Sequence, residues 1–191
     1  MYRSDDEKWP RYKTDVLDKD FMDVWGEMEK LVELGLARGI GVSNFNEQQI
    51  QRLYDDSKIK PACHEIEFHP GYVRRSLLEL CKNLNIAVLG FCPLGRHNAD
   101  KKQPKFLYDS YLQEIANTYG KTPAQIALRF SIQLGVIPIP KSATKNRIIE
   151  NFNVFDFQLT DDEMKYIESF HSNENQICKF QFAECSQFYP F

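Results

Sequence analysis

The chain has 191 residues, 42% of them hydrophobic and 13% aromatic, enough for one sizeable core in a single globular domain. Its net charge of −3 comes from interspersed acids and bases, with no basic tract longer than a pair such as Lys101-Lys102. That excludes a nucleic-acid or anionic-membrane footprint and leaves small molecules as the expected partners.

No apolar run reaches the roughly 18 residues needed to cross a bilayer, and no apolar segment follows Met1, so the expected location is cytoplasmic. The five cysteines, Cys63, Cys81, Cys92, Cys178 and Cys185, are odd in number and scattered. They form neither a C-x-x-C pair nor zinc-ligand spacing with the histidines, so they read as reduced packing thiols and no metal site is expected.

From Phe21 the apolar positions Trp25, Met28 and Val32 recur at helical spacing until Gly35, a residue suited to a left-handed helix cap. Ile40-Gly41-Val42 reads as a short strand. Asn46, with Gln49 three residues on, then predicts the capping box of a helix carrying Ile50 and Leu53. The unit repeats: Ala62 to Phe68 is strand-like, Leu77, Leu80, Cys81 and Leu84 mark one helix face, and Ile86 to Phe91 is another strand.

After a polar stretch from Arg96 to Lys105, Thr122-Pro123-Ala124-Gln125 supplies a cap, a first-turn proline and a capping-box Gln for a helix that ends at Gly135. Val136 to Pro140 is a β-prone run whose two prolines suit a strand end. Thr160-Asp161-Asp162-Glu163 opens a last helix through Met164 and Ile167. Strands alternating with helices imply parallel pairing in an α/β fold, with a doubly wound sheet and a barrel both open.

In either architecture ligands gather at the carboxyl ends of the strands. Lys141-Ser142-Ala143-Thr144-Lys145-Asn146-Arg147 puts hydroxyls, cations and a helix start directly after the last strand, a pattern that suits a phosphate and equally describes a solvated, ordinarily capped helix. Ser43-Asn44 can hold a planar amide or simply make a turn, and Phe91 can stack on a flat ring or fill the core. Glu65, Glu67 and His69 share one strand face, with His64, Ile66 and Phe68 on the other. That face is expected to meet water and neighbouring charges, with an acid-base pair or metal cluster as the sharper alternative.

The ordered set Gly41-Val42-Ser43-Asn44-Phe45, Pro61 to Pro70, Pro93-Leu94-Gly95, Ile139-Pro140-Lys141-Ser142 and Glu150-Asn151 resembles the aldo-keto reductases over nearly the whole chain. Trp25 to Leu36 is similar to the family's fourth barrel helix, Val154 to Phe157 to its late linker and Tyr189-Pro190-Phe191 to its C-terminal tail. The resemblance implies a (β/α)8 TIM barrel, with this chain covering strands five to eight: residues 1–20 a loop after strand four, 21–170 barrel units, and 171–191 the tail.

Carried over, the resemblance implies NADP(H) as cofactor and a small carbonyl compound as substrate. Ser43, Asn44 and Glu65 then meet the nicotinamide carboxamide, and Phe91 stacks on the ring where the family usually has Tyr. Cys92, Leu94 and Arg96 lie along the pyrophosphate, Lys141, Ser142, Thr144 and Arg147 grip the adenosine 2′-phosphate, and Glu150 and Asn151 face adenine. Arg147 suits a bidentate clamp on that phosphate, favouring NADP over NAD. Glu65 stands in place of the family's Gln and, ionised, accepts from the amide but cannot donate to it.

The family's catalytic Asp, Tyr, Lys and His come from earlier strands, and none is assigned here. Tyr2 and Tyr12 fall on the loop and are not substitutes. The expectation is a chain that is inactive alone, whether as part of a reductase or as a non-catalytic nucleotide-binding or protein-interaction module. A barrel of this kind needs about 250 residues, so open sheet edges should make the chain prone to self-association. Trp9, Phe180, Phe182 and Phe188 are candidates to line a substrate site or to serve as plain hydrophobic cover.

Overall fold

The structure is a computed structural model that describes residues 19–96, 98, 100–179, 186 and 189–190. The expectations for Tyr2, Trp9, Tyr12, Phe180, Phe182, Cys185, Phe188 and Phe191 lie outside the described residues.

Helix α1 (Phe21–Glu33) starts where Asp20 accepts the Met22 N–H, and the chain leaves its end through Gly35 at φ 70. Strand β1 (Gly41–Ser43) leads to α2 (Glu47–Asp56), which opens with the expected Asn46/Gln49 capping box. Then come β2 (Cys63–Glu67), α3 (Arg75–Asn83) and β3 (Ala87–Phe91).

A 3-10 turn (Lys105–Tyr108) and helix α4 (Ser110–Thr118) follow, neither of them anticipated from the sequence. Asp109 caps α4, and Leu112, Ile115 and Ala116 are its buried stripe at i, i+3 and i+4, so a helical signal was present. Helix α5 (Pro123–Gln133) and strand β4 (Val136–Ile139) precede α6 (Lys145–Phe152) and α7 (Asp161–Glu168). Capping boxes at Thr122 and Thr160 open α5 and α7 as expected.

All three strand pairings are parallel, in the order β1-β2-β3-β4. The order advances without reversing, as in a barrel wall. A doubly wound sheet would reverse around its first strand.

Register sorts the side chains into two faces. Val42, His64, Val88 and Val136 are partners across the sheet, as are Ile66, Gly90 and Pro138. This face meets the helices and is the core: Ile66 and Phe68 pack with Leu77, Leu112, Ile126, Phe130 and Ile167, all fully buried. Each such side chain contributes about 1.5–3 kcal/mol by leaving water. Gly90 lets the sheet close up, because a Cβ there would stand 2.9 Å from Val136 Cγ1 and 3.2 Å from Phe68 Cβ.

The other face carries Ser43, Glu65, Leu89 and Ile137 in one row and Glu67, Phe91 and Ile139 in the next. It is only partly covered: Ile137 is 54% and Ile139 43% exposed. Beside it Ile148, Ile149, Phe152 and Phe155 are also exposed. Together with β4 they line an apolar groove of about 970 Å³.

One expectation about β2 fails. Glu67 and His69 do not meet water; they are 4% and 2% exposed. The segment after α7 returns over the carboxyl end of β2 and covers them, a long-range packing that strand alternation does not encode.

Candidate functional site

The carboxyl ends of β1 and β2 are joined by the Asn44 N–H, which donates to Glu65 O at 2.9 Å. Asn44 turns the chain at φ 60, a left-handed conformation Asn tolerates, and its Nδ2 donates to Ser43 Oγ at 2.9 Å. Both readings of Ser43-Asn44 thus have a basis: it is a turn, and it leaves two polar side chains in a row with Glu65, the register partner of Ser43.

Phe91 ends β3 opposite Glu67 and Ile139. Cys92 follows with φ 52, and the Gly95 N–H closes the turn onto Cys92 O at 2.7 Å. Gly95 is itself at φ 66 and packs so closely on Pro104 that a Cβ would stand 2.9 Å from its ring. The turn presents Leu94 half-buried and Arg96 exposed.

One strand further on, Ser142 Oγ accepts the Thr144 N–H at 3.2 Å. Thr144 is the N-cap of α6 but makes no side-chain capping bond, unlike Asn46, Thr122 and Thr160 on α2, α5 and α7. The first-turn N–H groups of α6 therefore have no side-chain cap, and exposed Lys141, Thr144 and Arg147 stand around them. This donor set suits an anion such as a phosphate.

Glu150 and Asn151 lie at i+3 and i+4 from Arg147, on the same side of α6. The Glu150 carboxylate accepts from Thr122 Oγ1 at 2.6 Å, which fastens α6 to the start of α5. Asn151 is half-buried along the apolar groove.

The structure thus brings Ser43, Asn44, Glu65, Phe91 and Cys92 to one end of one sheet face. Lys141, Ser142, Thr144 and Arg147 follow past Ile139, the register partner of Phe91. Sequence reasoning missed the buried Glu67–His69 pair behind this row. Glu67 Oε1 meets His69 Nε2 at 3.0 Å and accepts the Ile177 N–H at 2.7 Å, while Oε2 accepts the Cys178 N–H at 2.7 Å.

Burial is the largest influence on the Glu67 carboxyl and works to raise its pKa, but the bonds from His69, Ile177 and Cys178 outweigh it and hold the group below its ordinary 4.5. Burial and then the Glu67 charge push the Cys92 and Cys178 thiols up, so both stay protonated at neutral pH rather than acting as reactive thiolates. Cys63, Cys81, Cys92 and Cys178 are all free thiols, and among the described residues no cluster could hold a metal ion.

The aldo/keto reductase family model matches residues 6–172. The chain is 42% identical over 178 residues to aldo-keto reductase family 1 member A1-A of Danio rerio, covering 90% of this chain and 55% of that protein. It is also 42% identical over 156 residues to the 9,11-endoperoxide prostaglandin H2 reductase of Trypanosoma cruzi, covering 82% and 54%. Among solved structures, the aldose reductase of Schistosoma japonicum superposes with a TM-score of 0.80 at 40% identity, over 88% of this chain and 53% of that one. A Bombyx mori aldo-keto reductase solved in complex with NADP gives 0.85 at 38% identity, over 92% and 58%. The chain spans about half the length of the curated relatives it matches.

Proposed function

The chain belongs to the aldo/keto reductase family, and from that premise we propose that it forms the NADP(H)-holding face of an oxidoreductase that reduces aldehydes and ketones to alcohols. The observation that carries this reading is the uncapped start of α6 with Lys141 and Arg147 beside it, one strand from Phe91.

In this reading Ser43, Asn44 and Glu65 orient the carboxamide, and Phe91 offers its face to the nicotinamide ring. Cys92, Leu94 and Arg96 run along the pyrophosphate. Lys141, Ser142, Thr144 and Arg147 take the 2′-phosphate, with Glu150 and Asn151 beside adenine. Because Glu150 is tied to Thr122, it acts there as a fixed acceptor. When bound, NADPH supplies the hydride, and the protein's part on this face is to hold and orient.

We assign no catalytic residue to this chain. His69 does not supply the proton, since its Nε2 is committed to Glu67. The chain then corresponds to barrel strands five to eight, and proton transfer to a small carbonyl substrate needs groups beyond this face. We expect a cytoplasmic setting without nucleic-acid partners, and among the described residues no helix is long and apolar enough to cross a membrane.

A second reading, a non-catalytic interaction module, is favoured by the uncovered apolar surface of β4 and α6, where Phe152 is 76% and Phe155 64% exposed. In either case we propose that the chain self-associates through that side of the sheet.

Calorimetric titration of the purified chain with NADPH and NADH tests the nucleotide reading. NADPH should bind more tightly than NADH by about 10–100-fold, a preference that Arg147→Ala should remove, since a charge-assisted bidentate pair is worth about 1.5–3 kcal/mol. No binding of NADPH, or an unchanged preference in that variant, defeats the proposal. Steady reduction of an aromatic aldehyde by the chain alone defeats the statement that it is inactive.

A further inference from the structure

His69 is 2% exposed, and its Nδ1 has no hydrogen-bond partner among the described residues. An unsatisfied buried ring nitrogen costs about 1–3 kcal/mol, so its surroundings call for explanation. Nε2 is bound to the ionised Glu67 carboxylate and therefore carries the proton, which leaves the neutral ring a lone pair at Nδ1. The ring is held on both sides. Phe106 stacks on it at 6.1 Å, and the main chain turns back so that Tyr72 N–H donates to His69 O at 2.8 Å.

Nδ1 faces Gly71, where an added Cβ would stand 3.1 Å from it and 3.5 Å from Asn175 Nδ2. His69 and Gly71 both line a cavity of about 670 Å³ between the end of β2, the segment before α4 and the segment after α7. That is the size of a small-molecule site. Arg96 and Lys105 bring two cations to its wall and Glu174 one carboxylate, a balance of one positive charge.

We propose that this cavity binds a small hydroxylated monocarboxylate, whose hydroxyl donates to His69 Nδ1 and whose carboxylate pairs with Arg96 and Lys105. Glu174 disfavours a dianion. Of the residues assigned to the nucleotide, Arg96 alone lines this cavity, so the two sites are separable.

The test is a titration with glycerate, followed through the 15N resonance of His69 Nδ1. Propionate, which lacks the hydroxyl, and glycerol, which lacks the charge, serve as comparison probes. A saturable shift with glycerate is expected, with propionate and glycerol at least about tenfold weaker. Gly71→Ala should abolish the shift by filling the space before Nδ1. Lys105→Ala, an exposed position that leaves packing intact, should weaken it several-fold and decides the matter if the Gly71 variant does not fold. Arg147→Ala should leave it unchanged, so failure of the nucleotide reading and failure of this one are told apart. Absence of a shift with glycerate, equal shifts with all three probes, or a shift unchanged in Lys105→Ala overturns the proposal.

Discussion

Glu67 and Cys178 lie 111 residues apart, yet Glu67 Oε2 accepts the Cys178 N–H at 2.7 Å, with the Ile177 N–H on the other oxygen at the same distance. One buried carboxylate thus pins the segment after α7 to the end of β2. Glu67→Gln keeps one acceptor oxygen but loses the charge, and should cost about 2–3 kcal/mol in urea unfolding. Amide exchange at Ile177 and Cys178 should quicken with it; unchanged exchange would show that the segment is held by other contacts. Because the folded pKa is depressed, this contribution is fully present above the ordinary 4.5 and is lost as pH falls through the lower folded value.

His64 behaves in the opposite chemical sense with the same direction in pH. It is fully buried, accepts the Phe45 N–H at Nε2 and lies 3.7 Å from Cys81 Sγ. Burial first, then the Arg74 charge, lowers its pKa from 6.5 to about 3. Below pH 6.5 the unfolded chain takes up a proton that the folded chain refuses, so stability falls with pH down to about 3. His64→Gln keeps an acceptor for Phe45 without titrating. Between pH 6.5 and 4 it should lose about 3 kcal/mol less than the parent chain; parallel urea-midpoint curves would contradict this.

Gly90→Ala should destabilise by about 1–3 kcal/mol, since its Cβ would press on Val136 at 2.9 Å and on Phe68 at 3.2 Å, both packed in the core. A melting temperature equal to the parent's would show that the β3–β4 pairing yields more easily than its packing implies.

Phe152→Glu should reduce self-association without loss of folding, because the side chain is 76% exposed on the apolar side of α6. Sedimentation velocity is the measurement. A parent chain that is monomeric at high concentration, or a variant that associates as strongly, would remove the proposed role of this surface.

Much of the fold was legible because its signals are local. Asn46 and Gln49, Thr122 and Gln125, and Thr160 and Glu163 form the capping boxes their spacing predicts, and Gly35 and Gly135 take the left-handed turns expected of them. Helix α4 was overlooked although Asp109, Leu112, Ile115 and Ala116 spell it, because the polar stretch before it obscured its start. At the candidate site, the residue types and the order Ser43, Glu65, Phe91, Lys141 could be read directly. Which of them share a row could not, since register is set by hydrogen bonds between strands.

What the sequence determined by itself is therefore the element order, the caps and the set of polar groups at the strand ends, all consequences of interactions within a few residues. The tertiary structure alone decided that the strands advance without reversal, that Ile137 and Ile139 face outward on an uncovered side, and that Glu67 and His69 are sealed from water. These depend on contacts such as Glu67 with Cys178 and Val73 with His171, 111 and 98 residues apart. No periodicity along the chain encodes such contacts; only the closing of distant segments over one another can bury a charge and supply the donors that keep it ionised.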